Sequence, residues 1–247
     1  MRNFLSRPTL SDKALTKLSE KTTEISSSPD PKKRAEDVYK ASRTTVWFER
    51  SVLVSLRTLA GPGERCMFCG SSEASQVDHF KPKADFPHLA MEWENYIWIC
   101  GVCNLNKGDN FPIGSGGTQL LINPIDEDVW QYFSIDDTGY IMCNWDVAND
   151  DFDARAKTSE DIYKFNRQAI QEARQKQINS LKEQVLDCIT LEKYGHITKI
   201  QLKEKLQRWI EFPFHPEVSQ YYLKGAGKVE GACKKICVSS PGTIGER

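Results

Sequence analysis

Between Cys66 and Lys107 the chain reads CMFCGSSEASQVDHFKPKADFPHLAMEWENYIWICGVCNLNK. Cys66/Cys69 and Cys100/Cys103 form two C-x-x-C pairs, and four thiolates on two such turns suit a tetrahedral structural Zn²⁺. The gap between the pairs is wider than in a common zinc ribbon, so a zinc here would staple the ends of an inserted loop. That loop carries the dyad Asp78-His79 and, further on, Asn95. Asn104 and Lys107 follow the last cysteine directly.

These residue types suit one reaction. Asp78 and Asn104 offer a carboxylate and a neutral amide oxygen, the ligands of a divalent ion that keeps several waters, such as Mg²⁺. His79 is a base with a pKa near neutrality. Lys107 lies three residues after Asn104, which on a helix puts both on one face, where the ammonium could hold a phosphate oxygen. Metal, base and cation together match phosphodiester hydrolysis. A strand sends successive side chains to opposite faces, so Asp78 and His79 can serve one site only where the strand ends or bends.

The surrounding pattern says what must position them. Gln76–Phe80 reads as a strand, 81–94 as a long loop broken by Pro82 and Pro87, and Tyr96-Ile97-Trp98-Ile99 as a buried strand. Gly101 to Lys107 reads as a short helix stopped by Gly108. Upstream, a short helix is expected over Asp12–Ser19. Asp30-Pro31 starts another, with Asp as N-cap and Pro in the first turn. It should run to about Leu59, weakened at Thr44-Thr45-Val46, and end at Gly61-Pro62-Gly63. Downstream, Gly114–Gly117 lacks the Lys of a phosphate loop and reads as a flexible connection. Trp130–Ile135 and Gly139–Cys143 flank a turn and suggest a hairpin. From Asp153 helical spacing sets in, with Gly195 closing one element and Thr198 capping a further one through Trp209 and Ile210. The tail after Gly225 is rich in Gly, Ser and Lys and is expected to be mobile. The fold class expected is α+β, a small zinc-stapled ββα module in a mostly helical scaffold. Its segments are 1–60 (helical), 61–118 (the module), 119–152 (acidic, with the hairpin) and 153–247 (helical).

The chain has 247 residues and a net charge of −1, which looks wrong for a nucleic-acid binder until it is divided. Residues 1–65 hold 13 Lys/Arg against 8 Asp/Glu, residues 119–153 none against 9, and residues 154–247 hold 17 against 11. Basic segments therefore flank an acidic middle, which leaves room for a local phosphate-binding surface. The acidic face should point away from such a substrate and could dock a basic partner. No apolar run has membrane length, and MRNFLSRPTLSDK lacks the continuous apolar stretch expected of a secretory signal. A cytoplasmic location is expected, where eight cysteines favour metal over disulfides.

The order C-x-x-C, Asp-His, Asn, C-x-x-C-Asn, x-x-Lys resembles the HNH (ββα-metal) endonucleases, which cut DNA by metal-dependent hydrolysis. The resemblance implies His79 as general base and Asp78 and Asn104 as ligands of a catalytic Mg²⁺ or Mn²⁺. It implies Asn95 as the residue that aims His79, and Lys107 as a phosphate contact. Asn104 stands where many members have His, and an amide oxygen favours Mg²⁺ or Mn²⁺ over Zn²⁺. DHFKPK, CNLNKGDNFPI, LLINPIDED and Phe165-Asn166-Arg167 are similar to the HNH nucleases of Septu-type and retron-linked anti-phage systems. That likeness implies a partner ATPase. DNA is the expected substrate, with RNA or tRNA as the alternative. A zinc-stapled binding module without turnover and a vestigial site are the competing classes.

Other residues have plainer readings. Lys81 and Lys83 flank the dyad and divide between DNA backbone contact and solvation. His88, His196 and His215 read as surface or capping residues, Cys143 and Cys188 as packed apolar groups, and Cys233 and Cys237 as incidental thiols. On this reading a lost cysteine costs zinc and stability together, whereas a lost His79 costs cutting alone.

Overall fold

The computed structural model describes residues 7–61 and 63–211, with side chains to residue 205. Pro62, His215, Cys233 and Cys237 lie outside the described residues, as do the side chains of Trp209 and Ile210. Helix α1 spans Asp12–Ser26, longer than its sequence suggests, and α2 spans Pro31–Ser42. The Asp30 side chain accepts from the Lys33 N–H at 3.1 Å and caps α2. The single helix expected from Pro31 onward is divided at Arg43–Thr45. There the Thr44 and Thr45 hydroxyls donate back to the Ala41 and Ser42 carbonyls at 3.0 and 2.5 Å, taking the acceptors that a continuing helix needs. The chain resumes as α3 (Val46–Phe48), passes through a π turn at Glu49–Leu53 and continues as α4 (Val54–Ala60). Gly61 ends it at φ +77°, a conformation that suits glycine.

The central unit is a ββα fold. Strands β1 (Ala74–His79) and β2 (Tyr96–Cys100) pair antiparallel, Gln76 opposite Ile99, Asp78 opposite Ile97 and His79 opposite Tyr96. β2 is buried throughout, which explains its continuous apolar run. Helix α5 (Gly101–Lys107) follows at once and folds back against both strands, stopped by Gly108 at φ +50°. The connection between the strands carries two 3₁₀ turns, Pro87–Leu89 and Trp93–Asn95. α1 and α2 both pack on the first of these.

Two small ribbons come next. β3 (Phe133–Ile135) pairs with β4 (Ile141–Cys143) as the expected hairpin. β5 (Trp145–Asp146) pairs with β6 (Asp151–Phe152), a ribbon too short to leave a pattern in the sequence. Helices α6 (Ala154–Tyr163), α7 (Gln168–Lys193) and α8 (Lys199–Glu211) complete the described chain. Part of the acidic charge is internally paired: Glu127 takes both Arg155 terminal nitrogens at 2.6 and 2.8 Å, Asp137 meets Lys182 at 2.9 Å, and Asp151 meets Lys157 at 3.0 Å. One hydrophobic cluster runs from Leu18 and Phe48 through Phe68 and Trp98 to Phe133, Tyr163 and Ile178. Among the described residues no helix is long and apolar enough to cross a membrane.

Candidate active site

At one end of the ββα unit the four thiols Cys66, Cys69, Cys100 and Cys103 are all buried, with their sulfurs within 4.8 Å of one another. Cys69 and Cys100 Sγ are 3.7 Å apart. Sulfurs bound tetrahedrally at the usual Zn–S distance would sit about 3.8 Å apart. The Ser71 and Cys103 N–H groups donate to Cys69 and Cys100 Sγ, each at 3.5 Å. Burial pushes the Cys66 thiol up, and four buried sulfurs converging on one point fit a structural zinc. Arg167 places Nη2 3.6 Å from Cys103 Sγ, opposing the excess negative charge of a four-thiolate site. Its neighbour Asn166 holds the Ile141 N–H and carbonyl. Phe165-Asn166-Arg167 therefore ties the C-terminal helices to both the hairpin and the cysteine end.

The other end is polar. β1 turns Gln76 and Asp78, two residues apart and so on one face, toward α5. Asn104 Nδ2 donates to Gln76 Oε1 at 2.7 Å, and Lys107 Nζ lies 3.0 Å from Asp78 Oδ2. The two pairs form adjacent rungs between strand and helix. Lys107 also donates to the His79 carbonyl at 2.8 Å and is fully buried. The phosphate contact expected of Lys107 is thus corrected by its burial. The helix is short, and its inner face seats Lys107 over β1 while Asn104 stays half-exposed. The ammonium is engaged by the dyad itself.

Asp78 is buried, and burial pushes its carboxyl above the usual range, with Lys107 opposing the shift. Its Oδ2 has no aligned hydrogen bond despite the nearby ammonium. A buried carboxylate on the rung next to an amide whose Nδ2 is already committed offers the oxygen ligands that suit a hard divalent ion.

His79 leaves β1 on the opposite face, where the strand ends. Its Nε2 lies 2.9 Å from the Ala90 carbonyl. A carbonyl only accepts, so Nε2 carries the proton and Nδ1 the lone pair. The Tyr96 hydroxyl donates to the same carbonyl at 2.9 Å. Tyr39 and Tyr96 set their rings edge-on to the imidazole, with centroids 4.5 and 5.3 Å away. Burial lowers the His79 pKa to about 4, so the ring is neutral at pH 7.

Asn95 binds the loop to itself. Its Oδ1 accepts from the Lys81 N–H at 2.8 Å, and its Nδ2 donates to the Lys81 and Leu89 carbonyls, both at 3.0 Å. Leu89 adjoins Ala90, so this network also fixes the acceptor of His79. Arg7 secures the loop's far end through the Trp93, Glu94 and Tyr96 carbonyls. Tyr39, Gln76 and the Ala90 carbonyl are the site components that sequence reasoning missed. Gln76 alone left a signal, its two-residue spacing from Asp78. His88 and His196 are exposed, Cys188 is buried and Cys143 partly so.

Comparison with known proteins adds the following. Residues 66–110 match the HNH endonuclease family. The chain is 26% identical to Septu protein PtuB of Bacillus mycoides (strain KBAB4) over 190 residues, covering 64% of this chain and 62% of that protein. It is 27% identical over 85 residues to Septu protein PtuB of Bacillus thuringiensis, covering 32% and 31%. Protein ea31 of Escherichia phage lambda is 33% identical over 75 residues, covering 29% and 25%. The chain therefore spans less than two thirds of the length of each of these relatives. It carries an HNH endonuclease domain at 66–110, and its likeness to PtuB extends beyond that domain.

Proposed function

We propose that this chain is a metal-dependent endonuclease that hydrolyses DNA phosphodiester bonds, the effector nuclease of an anti-phage defence system working beside a partner ATPase. The observation that carries the reading is the pairing of β1 with α5. Gln76 orients Asn104, Lys107 holds Asp78, and His79 stands at the end of the same strand with its tautomer set by Ala90.

In this reading a phosphodiester lies across the end of β1. His79 Nδ1 takes a proton from the attacking water, and the water oxygen forms its bond to phosphorus as the bond to the leaving oxygen breaks. The lowered pKa of His79 keeps it unprotonated and available at neutral pH. Asp78 and Asn104 would hold a Mg²⁺ or Mn²⁺ ion, which when bound stabilises the charge developing on the phosphoryl and leaving oxygens. Asn95 and Lys107 are positioning residues, one fixing the loop behind His79 and the other fixing Asp78 and the His79 backbone. Cys66, Cys69, Cys100 and Cys103 would hold the structural Zn²⁺ that ties the strand ends together.

The test is nicking and linearisation of plasmid DNA by the purified chain, alone and with a co-expressed ATPase, with added Mg²⁺ or Mn²⁺ and with EDTA. Cutting that needs the divalent ion is expected. Zinc-dependent DNA binding without turnover under every metal and partner would contradict the reading and leave a binding module. Cutting of RNA in preference to DNA would correct the substrate.

A further inference from the structure

With Lys107 buried, no cation of the strand–helix face is left to meet a substrate phosphate, yet the two elements that contact His79, α2 through Tyr39 and the site loop through Ala90, each carry another. We propose that Arg43 and Lys83 form a cationic rim that grips the sugar-phosphate backbone. Helix α2, outside the HNH match, is then part of the nuclease site. This rests on the nuclease reading above.

Tyr39, in the last turn of α2, packs its ring against His79 at 4.5 Å. Arg43 follows four residues later, and its N–H bonds the Tyr39 carbonyl at 2.9 Å, so the two side chains share a helix face. α2 is fixed in place by its packing on the Pro87–Leu89 turn of the site loop. Lys83 comes from the site loop. It lies four residues after His79 in a turn closed by the Asp85 and Phe86 N–H groups on the Pro82 carbonyl, at 3.1 and 2.8 Å. That turn follows Lys81, whose backbone Asn95 holds.

The charges of these two residues act on the site. Lys83 is near enough to influence both Asp78 and His79, and Arg43 acts on the Tyr39 hydroxyl. Neither forms an ion pair among the described residues. By contrast Arg34, Arg57, Lys157, Lys182 and Arg155 are committed to ion pairs. The Lys81 ammonium lies over the Phe86 ring, 6.0 Å from its centroid, so it is less available than Lys83. Arg43 is exposed and Lys83 half-exposed. A planar fork from α2 and a point charge from the site loop can contact phosphate without reading any base.

The experiment uses the full chain carrying His79→Gln to block cutting, titrated with a fluorescein-labelled DNA duplex over a series of KCl concentrations. Arg43→Gln and Lys83→Gln should each weaken binding about 3- to 10-fold and flatten the slope of log affinity against log salt by about 1. Lys83→Arg should restore most of the loss, and Lys176→Gln, on the exposed surface of α7, should change nothing. Equal zinc content and melting temperature across the set would establish that the loss is not unfolding. Unchanged affinity and slope in both variants, with the parent binding normally, would overturn the rim and leave the nuclease reading standing. A parent chain that binds no DNA at any salt would overturn both.

Discussion

The two ends of the β1–β2–α5 unit are held by different chemistry. At the cysteine end four thiols converge on one point, and the surroundings are apolar: Phe68 stacks on Tyr163 at 3.9 Å, and β2 is buried along its length. At the Asp78 end the contacts are mostly polar and come from the site loop, β1 and α5, with the Tyr39 ring of α2 packed against His79. The difference teaches where the fold can tolerate change. A zinc site concentrates its contribution in one ion, whereas the polar end spreads it over many bonds, most of them buried. The expectation that the cysteines hold the fold while the working residues are freely replaceable is therefore too simple. Asp78, His79, Asn95 and Lys107 are all buried, and each holds something besides substrate.

The largest break in the comparison should come from Cys100→Ser. Metal binding at such a site is folding free energy, on the order of 10 kcal/mol, so zinc content should fall from one per chain toward none and cooperative melting should disappear. A Cys100→Ser chain that melts like the parent would remove the zinc end from the account. Lys107→Met comes next. Removing one partner of a buried ion pair leaves an uncompensated charge and costs about 3–5 kcal/mol. Chemical denaturation should show that loss with zinc still bound, and a loss under about 1 kcal/mol would mean that the pair is solvated.

The third prediction concerns pH. His79 titrates near 4 when folded and near 6.5 when unfolded, so the unfolded chain binds its proton first. The stability that neutral His79 contributes is fully present above about pH 6.5 and is lost as the pH falls through 4, roughly 3 kcal/mol in all. The difference between the parent and His79→Gln over that window isolates this group from the thiols and Asp78. A flat difference would show that His79 is solvated. The smallest effect should be that of Gln76→Ala. It removes one exposed hydrogen bond worth about 1 kcal/mol or less, yet it should raise the Mg²⁺ or Mn²⁺ concentration needed for cutting by releasing the Asn104 amide.

These predictions depend on contacts of unequal visibility in the sequence. The C-x-x-C pairs, the buried strand, the helix ending at Gly108 and the Asp30-Pro31 start are local patterns, and each was legible. The partners of the site residues are not local. Gln76 and Asn104 are 28 residues apart, as are Lys107 and His79, and Ala90 lies 11 residues beyond His79. No periodicity links such positions. Lys107 shows the limit most clearly. Its spacing from Asn104 placed the two on one helix, but only packing against β1 decides that one stays half-exposed and the other is sealed against Asp78. The break at Thr44-Thr45 was visible as weakness in the helix. Its consequence, an α2 that ends beside His79, came from tertiary packing.

The account turns on the two ends having separable jobs, and one preparation tests that directly. His79→Gln protein is assayed for zinc and for plasmid cutting in Mg²⁺ or Mn²⁺, beside the parent and under conditions where the parent cuts. The account predicts one zinc per chain, a cooperative melting transition and cutting reduced by at least about 100-fold, the scale of a lost general base. Cutting at the parent's rate would contradict it.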